Sequence, residues 1–385
     1  MPITYPYIQY GGIWTTSQAT DAVAAGTWAV PPTPKLFGWG KNNVYQLGLG
    51  NTTYYSSPKQ VGASAQWIAI DSGSGEMTFG VTEDGKLWSW GSYTGFSTPT
   101  QFGSDTNWAK CSTDGSATSA FGLFLKSTGT LWSWGINNYG QLGVGTTTNN
   151  FNASPGQVGA LTNWLDVCAS GYRGAAYAVK TDGTLWSWGQ NEIGQLGQGN
   201  LTYYSSPKQV GSLTNWATLA RTGSRSYFTA VVKTDGTLWS WGGNGNGQLG
   251  QGNTTDISSP KQIGSLTNWK LPACGFVHMA AVKTDGTLWS WGSNTYGQLG
   301  LGNVNSYSSP KQVGSLTNWL SVACGMYSIV AVKTDGSIWV WGRNNRGQLG
   351  TGNTTNYSSP KQVGSLTSWT AYGSGWDSTY GTAKT

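Results

Sequence analysis

Residues 282–292 read Val-Lys-Thr-Asp-Gly-Thr-Leu-Trp-Ser-Trp-Gly, and the same segment recurs at 179–189 and 232–242. Its Trp-Gly ending occurs seven times, every 44 to 54 residues, with tryptophans at Trp39, Trp90, Trp134, Trp188, Trp241, Trp291 and Trp341. A fixed aromatic signature with a period near fifty residues is typical of stacked units that are each too small to bury their own apolar face. The sequence therefore predicts an array of repeated units.

Each unit contains four short runs of strand-forming residues. After Trp319 the first two runs cover 320–324 and 327–333, the third follows Asp335-Gly336, and the fourth follows a Gly- and Asn-rich stretch. Asp-Gly between two apolar runs is a strong hairpin signal, because both residues accept the positive φ of a primed turn. Four antiparallel strands in each unit are typical of a propeller blade.

The two ends of the chain complete one another. Residues 369–385 align without a gap on 319–335, so the chain stops where the hairpin turn should follow, and residues 36–40 align on 338–342. A repeat split between the two ends is expected of a ring that removes its edges by closing on itself. We predict an all-β, seven-bladed β-propeller over residues 34–385, closed by pairing of the N- and C-terminal segments.

The repeat also resembles a known family. Trp-Gly-x-Asn-x-x-Gly-Gln-Leu-Gly-x-Gly, then Ser-Pro-x-x-Val, then Cys-Gly-x-x-His, as at 274–278, is similar to the repeat of the regulator of chromosome condensation family. That resemblance implies a seven-bladed β-propeller. The second unit lacks the Gln-Leu-Gly turn between Trp90 and Pro99, which predicts a notch in one rim of the ring.

Composition argues against nucleic-acid binding and for a compact body. Only 9% of residues are charged, against 58 glycines and 23 tryptophans, and the formal net charge is +6. Most lysines occupy two repeated positions, which spreads them around a ring: Lys59, Lys208, Lys261, Lys311 and Lys361, and Lys126, Lys180, Lys233, Lys283 and Lys333. The dense basic stripe that neutralises many phosphates is missing. Tryptophans that recur in every unit indicate packing between blades.

Candidates for catalysis or metal binding are few. Five carboxylates precede glycine as turn residues, at Asp84, Asp182, Asp235, Asp285 and Asp335, and His278 is the one histidine. Cys111, Cys168, Cys274 and Cys324 occupy similar positions in different units, too far apart to pair, and are expected to be buried apolar residues. We expect a protein that is not an enzyme, with no metal and no cofactor.

Residues 1–33 lack the repeat and are predicted to form a separate N-terminal arm with a short helix over 17–25. The stretch from Tyr10-Gly-Gly-Ile-Trp14 through Asp21 to Ala25-Gly-Thr-Trp28 resembles leader segments of virion proteins from tailed bacteriophages. Ile13, Trp14 and Trp28 are its candidate anchor residues, because an apolar peptide without its own core must bury them on a partner. A disordered or propeller-wrapping arm is the alternative. We find no signal peptide and no apolar run long enough to span a membrane.

Positions that vary between near-identical repeats are candidates for binding a partner. They follow the scaffold glycine of each unit or lie in the Gly- and Asn-rich loop. The predicted binding surface contains Tyr172, Arg173, Arg225, Phe276, Tyr327, Trp376, Asp377, Asn137, Arg343 and Arg346.

Two main functions are open at this point. The first is a non-enzymatic phage virion component, located in the virion as a tail fibre or spike head or a decoration subunit. Its arm would bind other virion proteins, and its ring a host-surface protein or glycan. The alternative is a cellular regulator resembling a small-GTPase exchange factor that also binds chromatin. A polysaccharide-degrading enzyme is disfavoured, since no carboxylate pair recurs.

Overall fold

The computed structural model describes residues 34–63, 65–73, 76–114, 119–170, 174–222 and 226–384. Within these ranges the chain forms 29 β-strands and no helix. The strands make seven antiparallel sheets, each built on four strands. The predicted all-β, seven-bladed propeller is therefore confirmed. The arm and its helix over 17–25 lie outside the described residues and stay predictions, as does the boundary at residue 34.

Each blade contains four strands, which are ordered from the central channel of the ring to its outer edge. The innermost strands begin at a buried tryptophan and line the central channel: β3 (Trp67–Ser72), β7 (Trp108–Asp114), β11 (Trp164–Ser170), β15 (Trp216–Leu219), β20 (Trp269–Cys274), β24 (Trp319–Cys324) and β28 (Trp369–Ser374). The second strands are β4 (Met77–Thr82), β8 (Phe121–Lys126), β12 (Ala175–Lys180), β17 (Phe228–Lys233), β21 (His278–Lys283), β25 (Ser328–Lys333) and β29 (Ser378–Ala383).

The third and fourth strands carry the repeated motifs. The third strands end in Trp-Gly in six of the seven blades and continue past it in one: β5 (Leu87–Gly91), β9 (Leu131–Asn137), β13 (Leu185–Gly189), β18 (Leu238–Gly242), β22 (Leu288–Gly292), β26 (Ile338–Gly342) and β1 (Lys35–Gly40). The outer strands are β6 (Phe96–Gln101), β10 (Thr148–Gln157), β14 (Tyr204–Gln209), β19 (Ile257–Gln262), β23 (Tyr307–Gln312), β27 (Tyr357–Gln362) and β2 (Tyr55–Gln60). A short strand, β16 (Arg221–Thr222), pairs in parallel with β20. We number the blades 1 to 7 from β3, so that blade 7 contains both ends of the described chain.

The Asp-Gly hairpins form, but their turn type differs from the prediction. In blade 5 the Gly286 amide donates to the Lys283 carbonyl at 3.0 Å, and Gly286 has φ +76°. Among described non-glycine residues only Tyr45 has a positive φ, so Asp285 does not adopt the primed conformation. Its carboxylate instead accepts from the Thr287 amide at 2.9 Å and hydroxyl at 2.6 Å. The aspartate is used for this side-chain bridge, and glycine alone takes the left-handed conformation.

The Gln-Leu-Gly segment, which blade 1 lacks, joins a blade to the next one. In blade 4 the Gln248 carbonyl accepts from the Trp291 indole of blade 5 at 2.9 Å, while Leu249 is fully buried. Gly250, at φ +69°, lies against the same indole, where a Cβ atom would come within 2.7 Å of Nε1. Equivalent bonds hold Trp39, Trp90, Trp188 and Trp241, at 2.8 to 3.0 Å. These tryptophans therefore serve packing between blades.

Closure of the ring agrees with the split repeat. β1 pairs with β29 from Lys35 opposite Ala383 to Gly40 opposite Ser378. β2 and β28 complete that sheet in the order β2-β1-β29-β28. The first and last described strands are therefore neighbours in one blade, and the ring has no open end.

Five lysines of the second strands lie between two tryptophans of their own blade. Lys283 Nζ is 4.0 Å from the ring centroid of Trp289 and 4.7 Å from that of Trp269. The same arrangement holds Lys126, Lys180, Lys233 and Lys333. Burial lowers the pKa of Lys180, Lys233, Lys283 and Lys333. Half of the repeated lysines are thus held between two tryptophans of the scaffold by cation–π contacts.

The described residues include no helix that is long and apolar enough to cross a membrane.

Candidate functional site

The connections of a four-stranded antiparallel sheet alternate between its two ends. We call the end with the Asp-Gly hairpins the lower face. The upper face carries the turns between first and second strands and the rim loops between third and fourth strands. The upper turns of blades 5, 6 and 7 are closed by backbone bonds, in which Gly275, Gly325 and Gly375 donate to residues 278, 328 and 378 at 2.8 to 2.9 Å. The two residues between these partners are therefore central turn residues.

Two of these turn residues, Phe276 and Tyr327, belong to a continuous row of aromatic rings across blades 4, 5 and 6. Phe276 lies 6.5 Å from Tyr227 and 5.9 Å from Tyr327, measured between ring centroids. Tyr327 in turn lies 5.1 Å from Tyr296, which belongs to the rim loop of blade 5. All four rings are partly exposed, and Tyr296 retains 37% of its surface. The row is a rigid apolar strip at the surface.

Arg343 closes one end of this row. Its guanidinium carbon is 5.5 Å from the Tyr296 ring centroid and 5.6 Å from that of Tyr327. Its Nη1 lies 3.9 Å from Oδ1 of Asp377, and Gln348 donates to the same oxygen at 2.8 Å. Burial raises the pKa of the Asp377 carboxyl, and the nearby Arg343, Lys41 and Arg346 oppose that rise. Asp377 is 7% exposed, so its carboxylate lies beneath the surface, where it can orient the Arg343 guanidinium.

Two further cations stand over aromatic rings beside Asp377. Lys41 Nζ lies 5.3 Å from the Trp376 ring centroid, and the Lys41 amide donates to the Asp377 carbonyl at 2.7 Å. The Arg346 guanidinium carbon lies 5.7 Å from the ring centroid of Tyr54. We define the aromatic–arginine surface as Tyr227, Phe276, Tyr296, Tyr327, Arg343, Arg346, Lys41, Trp376, Asp377 and Tyr54. It combines preorganised cations with apolar area, a composition that suits protein recognition.

The structure brings together six of the predicted surface residues, namely Phe276, Tyr327, Trp376, Asp377, Arg343 and Arg346. Tyr172, Arg173 and Arg225 lie outside the described residues, as do the anchor candidates Ile13, Trp14 and Trp28. Asn137 is 1% exposed, and its side chain donates to the Thr146 carbonyl at 2.9 Å and accepts from the Leu142 amide at 3.0 Å. Its side chain closes a rim loop and is not part of an exposed surface.

Sequence reasoning missed four members of the surface, Tyr227, Tyr296, Lys41 and Tyr54. A signal for Lys41 was available, because it follows Trp-Gly at the same repeat position as Arg343. Tyr296 lies in the Gly- and Asn-rich loop of its unit, and only ring packing shows that it meets Tyr327 of the next blade.

The central channel is a second concavity, with a volume of about 490 Å³ between the innermost strands. Lys110 forms an ion pair with Asp166 at 2.9 Å on its wall. Asp71 is half-buried, and its removal from bulk water raises the pKa of its carboxyl to about 6, although the hydrogen bond that it accepts from the Thr113 amide at 2.9 Å lowers that pKa. Both acidic groups have partners on neighbouring blades, so we interpret them as structural residues that join the innermost strands.

The remaining titratable candidates are also accounted for by packing. The four cysteines all lie in described segments and are free thiols, of which Cys111 is half-buried and the others are buried. His278 is fully buried, which lowers its pKa to about 4, and its ring lies against Gly275. No group of three or more His, Cys, Asp or Glu residues in the described ranges could hold a metal ion. The expectation of no metal or cofactor stays an expectation.

Comparison with known families gives extensive matches. A profile for the regulator of chromosome condensation (RCC1) repeat matches residues 35–75, 128–176, 182–229, 235–282, 285–332 and 335–380. A second RCC1 repeat profile matches residues 113–141 and 319–348. The ultraviolet-B receptor UVR8 of Arabidopsis thaliana is 31% identical over 239 residues, which is 60% of this chain. The match spans 53% of the receptor, so the chain corresponds to about half of that protein's length.

Two solved structures share the fold over nearly the whole chain. Human WBSCR16 matches with a TM-score of 0.80 and 21% identity, covering 91% of this chain and 99% of that one. Prp20p of Saccharomyces cerevisiae, a protein studied for its binding to Gsp1p and histones, matches with a TM-score of 0.77 and 20% identity, covering 92% of each chain. At these identities the likeness shows the fold alone.

The expectation of a phage virion protein is wrong, in function and in location. The relatives are proteins of plant, human and yeast cells, and their repeats match the ring. The virion assignment depended on a short resemblance within residues 1–33, whereas the repeat signature extends along most of the chain. A short segment without repeats carries far less information than a pattern repeated in each blade.

Proposed function

Because the chain belongs to the regulator of chromosome condensation repeat family, we propose that it is a non-catalytic cellular regulator that acts by binding another protein. The contiguous aromatic–arginine surface carries this proposal. Aromatic rings and arginines are enriched where protein interfaces gain most of their affinity. The family relatives support a binding role, since UVR8 is a receptor and Prp20p was studied for its protein partners.

The charge of this surface favours an acidic partner face. Lys41, Arg343 and Arg346 are accessible cations, whereas the Asp377 carboxylate lies buried beneath them. Each cation is held over a ring, so little side-chain entropy is lost when a carboxylate binds. A basic partner such as a histone would meet like charges here, and its binding would need another part of the ring.

A pair of matched variants tests this proposal. The first, Tyr327→Ala with Arg343→Ala, removes one ring and one cation from the upper face. The control, Tyr307→Ala with Lys311→Ala, likewise removes one tyrosine ring and one cation, here a lysine, from an outer strand, where Lys311 Nζ lies 5.3 Å from the Tyr307 centroid. Affinity purification with quantitative mass spectrometry should show partners that the first variant loses and the control keeps. Identical partner sets for both variants would disprove the role of the surface.

A narrower form of the proposal is nucleotide exchange on a small GTPase. It extends the exchange-factor alternative that the repeat signature left open, and Prp20p, studied for its binding to Gsp1p, supplies a test partner. Release of a fluorescent guanine nucleotide from purified Gsp1p should then accelerate with the native protein and not with the Tyr327→Ala, Arg343→Ala variant. Unchanged release excludes exchange on Gsp1p and leaves the protein-binding proposal to the purification experiment.

A further inference from the structure

One innermost strand leaves its own blade before it ends. In blade 4, β15 stops at Leu219, and Arg221 and Thr222 then form β16, which pairs in parallel with β20 of blade 5. The innermost strands of the other six blades continue over six or seven residues. Arg221 therefore stands where the chain crosses from one blade to the next.

Arg221 is exposed at a repeat position that is otherwise buried. It is the fifth residue after the tryptophan that begins its strand. The same position is buried in the five other blades where its side chain is described, as Ser72, Thr113, Ala169, Cys274 and Cys324. Small buried residues at this position serve the scaffold, so packing of the repeat does not account for an exposed arginine.

The Arg221 side chain lines the central channel and faces its opposite wall. Removal from bulk water raises the pKa of the Asp71 carboxyl in blade 1 and of the Cys111 thiol in blade 2, and the charge of Arg221 opposes both rises. Blades 1 and 4 lie on opposite sides of a seven-bladed ring. Because Coulombic effects weaken with distance, the guanidinium must extend into the channel toward blades 1 and 2.

Arg221 differs from the other charged groups of the channel wall in having no bonded partner. Among the side chains that the structure describes there, the others are Asp71, Lys110 and Asp166. Asp71 accepts from the Thr113 amide, and Lys110 pairs with Asp166. Within the described ranges, the Arg221 side chain makes neither a hydrogen bond nor an ion pair. Its fork of N–H donors is therefore available to a ligand.

The wall beside Arg221 is apolar. Leu271 and Pro272 of blade 5 and Val322 of blade 6 line the channel there, and the described side chains of blades 5 to 7 add no charge to the lining. The channel volume of about 490 Å³ is in the range of small-molecule sites, roughly 300–1,000 Å³. One free cation beside an apolar wall is a combination typical of such sites.

We propose that the central channel binds a small monocarboxylate with an apolar body. The Arg221 guanidinium donates two parallel hydrogen bonds to the carboxylate, since the geometries of the two groups match. The apolar body packs on Leu271, Pro272 and Val322. A single negative charge is favoured over the higher charge of phosphate, because Asp71 lies near and repels anions. The site is separate from the aromatic–arginine surface and does not depend on the function proposed for it.

Phenylacetate is a suitable probe, because each of its two parts can be removed separately. Calorimetric titration into the full chain should show one saturable site. Acetate lacks the apolar body and phenylethanol lacks the charge, so each should bind at least about tenfold more weakly. NMR of the methyl-labelled full chain should show phenylacetate-induced shifts centred on Leu271 and Val322. No saturable binding, shifts centred elsewhere, or equal or tighter binding of acetate or inorganic phosphate would overturn the proposal.

Matched substitutions test the role of Arg221. Arg221→Gln removes the charge and the fork and should weaken phenylacetate by about tenfold or more, with an unchanged melting temperature because the side chain is exposed. Arg221→Lys keeps the charge without the fork and should bind with intermediate affinity. Lys261→Gln removes one charge from the exposed outer strand of the same blade and should leave binding unchanged. Native affinity in Arg221→Gln, or an equal loss in Lys261→Gln, contradicts the assignment.

Discussion

At the lower face of the ring, side chains brace the hairpins of blades 3 to 6 in addition to their backbone bonds, whereas the upper turns of blades 5 to 7 are closed by backbone groups. In blades 3 to 6 the aspartate before glycine accepts a hydroxyl at 2.6 Å, and that hydroxyl accepts an indole N–H at 2.9 Å. In the upper turns of blades 5 and 6, glycine amides bond to carbonyls at 2.8 Å. Because backbone bonds place no demand on side chains, the two central residues of these upper turns can vary without loss of the fold.

The strongest test of the scaffold is to open the ring. Deletion of residues 369–385 removes β28 and β29, which leaves β1 without a partner on one side and exposes the buried Trp39. An unpaired edge beside a tryptophan-rich face should cause aggregation. Size-exclusion chromatography and thermal unfolding measure this. A soluble deletion variant with an unchanged melting temperature would contradict the closure.

Two aromatic truncations compare the scaffold with the upper face. Trp291→Ala removes a fully buried indole and its bond to Gln248, and should lower the free energy of unfolding by about 4 kcal/mol. Phe276→Ala removes a partly exposed ring from a turn that the backbone closes, and should cost below about 1 kcal/mol. Denaturant titration of both variants gives the two values. Similar losses would show that the upper turns are as constrained as the scaffold.

The pH dependence of stability tests whether His278, which follows the upper turn of blade 5, is buried in the folded protein. Burial lowers its pKa from 6.5 to about 4, so as pH falls from 6.5 to 4 the unfolded chain takes up the proton first. The folded state should thereby lose up to about 3 kcal/mol over this interval. His278→Met, which copies Met77 of blade 1, should remove this pH dependence. Asp71 has a raised pKa, so its protonation stabilises the folded state as pH falls. This contribution is present in both proteins and cancels when the two curves are compared. Parallel stability–pH curves for the two proteins would contradict the burial of His278.

A pair of glycines separates conformational strain from packing. Gly250 and Gly264 both have positive φ, at +69° and +58°, but a Cβ would approach the Trp291 indole within 2.7 Å at Gly250 and meet nothing within 4 Å at Gly264. Alanine at either position should cost about 1 kcal/mol in backbone strain. Gly250→Ala should lower the free energy of unfolding by roughly a further 1–3 kcal/mol, because its methyl group would clash with the Trp291 indole of the next blade. Thermal unfolding of the two variants compares them, and equal losses would show that this contact yields easily.

The fold was predictable because the same side chains recur at fixed spacing. Trp-Gly at seven places and the complementary ends were enough for the number of blades and their closure. The turn type was not predictable, since Asp-Gly is compatible both with a primed turn and with the turn in which Gly286 alone is left-handed. Asn137 was misplaced on the surface, although asparagine recurs at that position in most blades, which already indicated a scaffold role.

The candidate surface was predictable only in part. Variation between repeats identified Phe276 and Tyr327, which occupy equivalent turns. It could not show that Tyr296 and Arg343 meet them, because these residues come from rim loops that only the closed ring brings together. Whether the surface binds a partner stays a prediction until the matched variants are measured.

The split blade also sets the order in which the ring can be completed. Lys35 pairs with Ala383, so the last sheet joins residues from opposite ends of the described chain. A contact of such long sequence separation forms late, because its loop-closure entropy must be offset by structure already in place. During synthesis, β1 and β2 wait for β29 to leave the ribosome while the other blades form. In that interval β1 of one molecule can pair with β29 of another, so we expect domain-swapped assembly to compete with correct closure of the ring.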